Sequence, residues 1–171
     1  MAERARTNGF VVWVTGPNDV MVARVAHAIG AALGRRRRDL EMLDDRTPGF
    51  DLIAGAGIDR AAAFAAARLA LHGVAVVVAV PSPSRAVREA GRAASDRMIE
   101  VYIPGGARAG YEPPERSEVQ VDFPETELDA AVARTLRTLE VLGHLGPAGD
   151  TAYTDEEERE VIRRLKSFGY M

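Results

Sequence analysis

No cysteine occurs in the 171 residues, which excludes disulfides, thiolate zinc sites and a cysteine nucleophile. Lysine is almost as scarce: Lys166, near the C-terminus, is the only one, and the other 21 basic residues are arginine. Chemistry that needs an ammonium group elsewhere in the chain is therefore excluded. The three histidines, His27, His72 and His144, are too scattered to suggest a metal site. No hydrophobic run is long. The most continuous, Val74 to Val80, falls far short of the roughly 20 residues of a bilayer span. No charged-then-apolar leader opens the chain, so the cytoplasm is the expected location. Neither sign of charge dominates: 22 basic and 25 acidic residues give a net charge of −3, too balanced for a general polyanion binder. Nucleic acid and membrane are accordingly not expected partners.

What is present is an ordinary globular composition, 47% hydrophobic and 27% charged, in which strands and helices alternate. Gly9 to Thr15 is a β-branched and aromatic run that stops at Gly16-Pro17. Asn18 and Asp19 are natural N-caps for a helix over Val20 to Leu33, whose apolar residues recur at helical spacing and which ends at Gly34. Arg35 to Arg38 follow it, where cations complement the helix dipole. Leu40 to Leu43 reads as a second strand ending in Asp44-Asp45-Arg46, and Thr47 to Ile58 as a Gly-rich irregular stretch. Asp59 caps an alanine-rich helix through Leu71; Val74 to Val80 is a central strand; a helix runs from Ser84 to Ala94. Met98 to Ile103 and Glu118 to Asp122 complete the strands, and Leu128 to Leu142 is an amphipathic helix. This alternation predicts an α/β fold: a three-layer, doubly wound parallel sheet of about five strands, with ligands bound at the strand carboxyl ends.

Gly146 to Asp150 is a linker by composition, dividing an α/β domain over 1–145 from a tail over 146–171. In the tail, Thr154-Asp155-Glu156-Glu157 forms a capping box for a short helix. Its apolar stripe, Val161, Ile162, Leu165 and Phe168, is narrow. So short a helix is marginal alone, and the stripe must dock either on its own domain or on a partner.

Four segments, read in order, resemble the adenylylsulfate kinases, P-loop enzymes that phosphorylate adenosine 5′-phosphosulfate from ATP. Phe10 to Gly16 is similar to that family's first strand and the start of its phosphate loop. Leu43-Asp44-Asp45 is similar to its strand-end acidic motif, and Pro81-Ser82-Pro83-Ser84-Arg85, continued by Arg88, to its Ser-Pro-Tyr-Arg segment. Tyr111-Glu112-Pro113-Pro114-Glu115 matches its Tyr-Glu-Pro-Pro-Glu. The resemblance spans Gly9 to Leu145 and implies the P-loop kinase fold. The tail resembles the C-terminal ending of some alkaline-phosphatase-superfamily hydrolases, which implies a docking or assembly element.

The departures from the family pattern carry the functional reading. A phosphate loop G-x-x-x-x-G-K-[S/T] supplies backbone amides, a lysine for the β/γ-phosphates and a hydroxyl for Mg²⁺. Laid on Gly16, Met21 stands at the second glycine, Val22 at the lysine and Ala23 at the hydroxyl. Gly16, Asn18, Asp19 and Arg24 are what is left of that loop. Asp19 places a negative charge where the triphosphate would lie, and Arg24 stands one residue late. Where the family grips the phosphosulfate, Ala63, Ala65 and Ala66 follow Asp59-Arg60, and Pro104 to Gly110 is too short for the family's basic lid.

The resemblance thus predicts a degenerate member without kinase activity, needing no cofactor: a binding, regulatory or scaffolding subunit, associating as a homodimer or with a protein partner through the C-terminal stripe. An altered chemistry on a nucleotide, phosphosulfate or other anionic metabolite is the alternative. For that alternative Asp44 and Ser82 are the catalytic candidates, Arg60, Arg85 and Arg88 the anion-binding ones, and no metal ligand is named.

Overall fold

A computed structural model describes residues 9–36, 39–53, 57–124, 126–146 and 155–170. Five parallel strands form one sheet: β1 (Phe10–Thr15), β2 (Leu40–Asp44), β3 (Ala75–Ala79), β4 (Met98–Tyr102) and β5 (Val119–Gln120), in the order β2-β3-β1-β4-β5. The helices are α1 (Asp19–Gly34), α2 (Phe50–Ile53), α3 (Ile58–Leu71), α4 (Arg85–Ala94), α5 (Leu128–Val141) and α6 (Asp155–Ser167).

Every residue of β1 and β3 is buried, because strands in the middle of a parallel sheet are covered on both faces. Successive side chains alternate between the two cores. Phe10, Val12, Val14, Ala75 and Val77 pack with Val25, Ile29 and Leu33 of α1 and Leu139 of α5. Val11, Trp13, Val76 and Val78 pack with Ala62, Ala66 and Ala70 of α3. Helices α1 and α5 thus form one outer layer, and α3 with α4 the other. This is the three-layer, doubly wound parallel sheet that the alternation predicts. Among the described residues, no helix is long and apolar enough to cross a membrane.

Three elements differ from expectation. Within the stretch read as irregular, α2 forms a single turn around Phe50, which is buried beside Leu43; one turn leaves no periodicity to read. The cap of α3 is Gly57 (φ 92°), with Asp59 inside the first turn. Strand β5 is reduced to Val119–Gln120, since it pairs with β4 alone and the neighbouring Glu118 turns its carboxylate inward.

The C-terminal stripe docks on its own domain. Helix α6 packs against α5, with Val161 and Leu165 buried and Ile162 and Phe168 half-buried. Arg164 donates to the Ser117 carbonyl and hydroxyl, and the Tyr170 hydroxyl donates to Glu118. Gly169 (φ 80°) turns the chain so that the Tyr170 amide reaches the Leu165 carbonyl. A partner seated on Val161 and Leu165 is therefore corrected to an intramolecular dock. Thr154 of the expected capping box, residues 147–150 of the expected linker, and Arg37 and Arg38 of the basic run lie outside the described residues.

Candidate functional site

The chain leaves β1 toward β2 on one side and leaves β3 toward β4 on the other, so the carboxyl ends of β1 and β3 are the switch point of the sheet. At the end of β1 the turn is short: Gly16, Pro17 and Asn18, with α1 already begun at Asp19. Gly16 is required there, because a Cβ would stand 2.4 Å from the Ile103 carbonyl oxygen. Asn18 caps the helix by accepting the Met21 amide on its side chain at 3.2 Å, and its carbonyl accepts the Val22 amide at 3.0 Å. Met21, Val22 and Ala23 are thus helical residues, and Val22 is buried in the core with Val25 and Ala26. No open loop precedes them.

The segment 104–110 lies against this turn. Gly106 (φ 119°) has no side chain to separate it from its neighbours; a Cβ there would approach Pro17 and the Asn18 Cβ at 3.2 Å. Two residues on, Arg108 Nη1 donates to both carboxylate oxygens of Asp19 at 2.6 Å. An internal ion pair therefore stands at the N-terminus of α1, at the position a phosphate loop gives to its ligand's charge.

Beside it runs a buried polar network. Trp13 Nε1 donates to Ser82 Oγ at 3.0 Å, the Thr15 hydroxyl lies 3.4 Å from the same oxygen, and Thr15 also bonds the Tyr111 hydroxyl at 3.0 Å. Burial pushes the Tyr111 phenol up from its ordinary value, against the opposing effects of the Thr15 bond and the nearby Arg88. Arg88 lies 5.2 Å from the Tyr111 ring centroid. Its three nitrogens are all committed: Nε to Glu100 at 2.7 Å, Nη1 to the Ser82 carbonyl and Nη2 to the Glu112 carbonyl. Glu112 in turn accepts the Arg85 amide at 2.8 Å, capping α4, while Arg85 pairs with Glu115 at 2.7 Å. The Tyr-Glu-Pro-Pro-Glu segment is thus a clamp that fastens the β4–β5 connection onto β1 and the start of α4.

The third feature is a cavity of about 310 Å³ at the ends of β2 and β3, walled by Asp19, Val20, His27, Asp44, Asp45 and Arg46 among others. Asp44 Oδ1 accepts the Arg46 amide at 2.9 Å, and Oδ2 lies 3.5 Å from His27 Nε2. Three carboxylates face one arginine, with Arg108 neutralising Asp19. Among the described residues, no three His, Asp or Glu side chains are grouped to hold a metal.

The sheet therefore brings Gly16, Asn18, Asp19, Asp44 and Ser82 to one end of the molecule, but not into one open pocket. Ser82 is buried, its hydroxyl committed to Trp13. Arg88 differs most from expectation: it is 1% exposed and faces the core, not a ligand. Arg85 is partly exposed and paired. Arg60 and Arg24 are exposed and do not line the cavity. His27, read from the sequence as packing or surface, is exposed and also borders the cavity; the spacing Asp19, Ala23, His27 along one face of α1 is the signal for the second role. Arg108 has no such signal, because its pairing with Asp19 depends on how the loop folds back.

The adenylylsulphate kinase family model matches residues 8–109. Among curated relatives, the adenylyl-sulfate kinase of Gloeothece citriformis is 28% identical over 82% of this chain and 99% of its own. The probable adenylyl-sulfate kinase of Pyrococcus abyssi is 27% identical over 80% of this chain and 98% of its own. Among solved structures, a hexameric APS kinase from Thiobacillus denitrificans superposes with a TM-score of 0.69 at 24% identity, over 84% of this chain and 31% of that longer chain. The Mycobacterium tuberculosis APS kinase gives 0.63 at 22% identity, over 77% and 97%. With a five-stranded parallel sheet of this order and a family match over more than half its length, the chain belongs to the adenylylsulfate kinase family.

Proposed function

We propose that this protein is a member of the family that does not transfer phosphate and acts by binding, as a regulatory or scaffolding subunit. One observation carries the reading: α1 begins at Asp19, three residues after Gly16, so that Val22 is a core residue. The position aligned with the phosphate-binding lysine has neither the amine nor an outward direction. The Met21 and Val22 amides are spent on Asn18, and Ala23 has no hydroxyl to offer Mg²⁺. The charge at the helix start is a carboxylate held by Arg108. A magnesium triphosphate does not fit these residues, and no step is derived through one. Phosphoryl transfer is nearly all positioning and charge stabilisation, so losing these groups together costs many orders of magnitude. The hexameric relative supports self-association as part of the scaffolding role.

A thermal-shift titration with ATP, with and without Mg²⁺, adenosine phosphosulfates and inorganic anions tests the reading, because any ligand of the native state raises its apparent stability. The reading expects no Mg²⁺-dependent stabilisation by ATP. A strong Mg²⁺-dependent shift would sink it.

A second reading, an enzyme with altered chemistry on an anionic metabolite, is favoured by the His27–Asp44 contact in the cavity. It expects one of the anions to stabilise the protein and Asp44→Asn to change that stabilisation. A screen in which none does so removes it.

A further inference from the structure

Helix α3 turns Ala61, Ala62, Ala66 and Ala70 into the core. Its opposite side carries Arg60, Phe64, Arg68 and Leu71, which at 100° per residue fall within about 80° of arc. Phe64 is 71% and Leu71 67% exposed. Beside Leu71 opens a groove of about 550 Å³ lined by Ala67, Ala70, Ala94 and Asp96 among others. Isolated exposed apolar residues are ordinary; two large ones on one ridge, continuous with a groove, mark a binding surface.

The charges on the ridge say what kind of surface covers it. Arg60 and Arg68 stand one turn to either side of Phe64, and among the described residues neither forms an ion pair. A second copy packed through a two-fold axis would pair Phe64 with Leu71 and bring the two Arg68 guanidinium groups together at the axis. Like charges oppose that arrangement. An acidic surface answers both features: apolar side chains for Phe64, Leu71 and the groove, carboxylates for the two arginines. We infer that the outward face of α3 docks an acidic amphipathic helix of a partner protein, with its apolar stripe on Phe64 and Leu71 and its Asp or Glu residues against Arg60 and Arg68. This goes beyond the proposed lack of phosphate transfer and does not depend on it.

The test uses the full chain and two fluorescein-labelled synthetic helical peptides with the same leucine stripe, their polar positions filled with glutamate in one and lysine in the other. The glutamate peptide binds, and raising the salt weakens it. Phe64→Ser lowers its affinity by about tenfold, the loss expected of an interface anchor. Arg60→Glu with Arg68→Glu reverses the preference, so that the lysine peptide binds instead. All three positions are exposed, and unchanged melting temperatures confirm that the variants fold. Equal binding of both peptides, failure of the glutamate peptide to bind, or affinities indifferent to the substitutions would overturn the inference. So would self-association of the chain, seen by sedimentation, that Phe64→Ser abolishes, because it would assign the face to a second copy.

Discussion

Arg88 and Glu100 are both 1% exposed and are joined at 2.7 Å. Arg92 reaches the other Glu100 oxygen at 3.3 Å and pairs with Glu118 at 2.7 Å. Burial raises the Glu100 carboxyl above its ordinary value in spite of the two arginines. At Glu118 burial acts in the same direction, but the bonds from Arg92 and Tyr170 outweigh it and hold the carboxyl low. Removing one partner of a buried pair strands the other charge. Arg88→Ala is therefore expected to cost about 3–5 kcal/mol in urea denaturation, and adding Glu100→Gln should recover part of the loss. A loss within about 0.5 kcal/mol, as at a surface site, would contradict the network. His144 gives a pH signature. Burial and the nearby Arg97 lower its pKa to about 4, and its ring stacks on Phe10 at 6.4 Å. The folded state thus binds this proton less readily than the unfolded chain does. Its stabilising contribution is full above about pH 6.5 and is lost as pH falls toward 4. Urea midpoints between pH 7 and 4 should fall, and His144→Asn should flatten that part of the profile. At this scale the sequence was only partly legible. An acid inside the apolar run Met98 to Ile103 is the mark of a buried charge, but nothing local to α4 says that Arg88 is its partner.

Among the elements, the long ones follow directly from pattern. β1 and β3 are continuous apolar runs because both faces are covered, and α1 and α5 show helical periodicity because one face of each is. What escaped is short or conditional: the single turn of α2, the shortening of β5 from the expected Glu118 to Asp122 down to Val119–Gln120, and the surface on which α6 docks. The α6 stripe was legible; its destination was not, since it depends on α5 and on Ser117 and Glu118, far away in sequence. Leu165 is fully buried in that dock. Leu165→Ala should cost about 2–5 kcal/mol by thermal or chemical denaturation, whereas Lys166→Ala, on the exposed side of the same helix, should change stability little. Equal effects would mean that α6 does not rest where it is described.

For the molecule as a whole, the order β2-β3-β1-β4-β5 gathers the ends of β1, β2 and β3, and this placement was readable from the alternation of strands and helices. The identities of Met21, Val22 and Ala23 after Gly16 were readable too, because they stand at fixed spacing along the chain. The early start of α1 was foreshadowed only by Asn18 and Asp19 as caps. The loop folded over it was not legible, because Gly106 and Arg108 meet Pro17, Asn18 and Asp19 only in three dimensions. Together these features make a closed turn with its own ion pair at the N-terminus of α1. The most direct measurement is transfer of label from γ-³²P-ATP to adenosine 5′-phosphosulfate in the presence of Mg²⁺. The account predicts no product above the protein-free background. Mg²⁺-dependent turnover by the purified chain would contradict it.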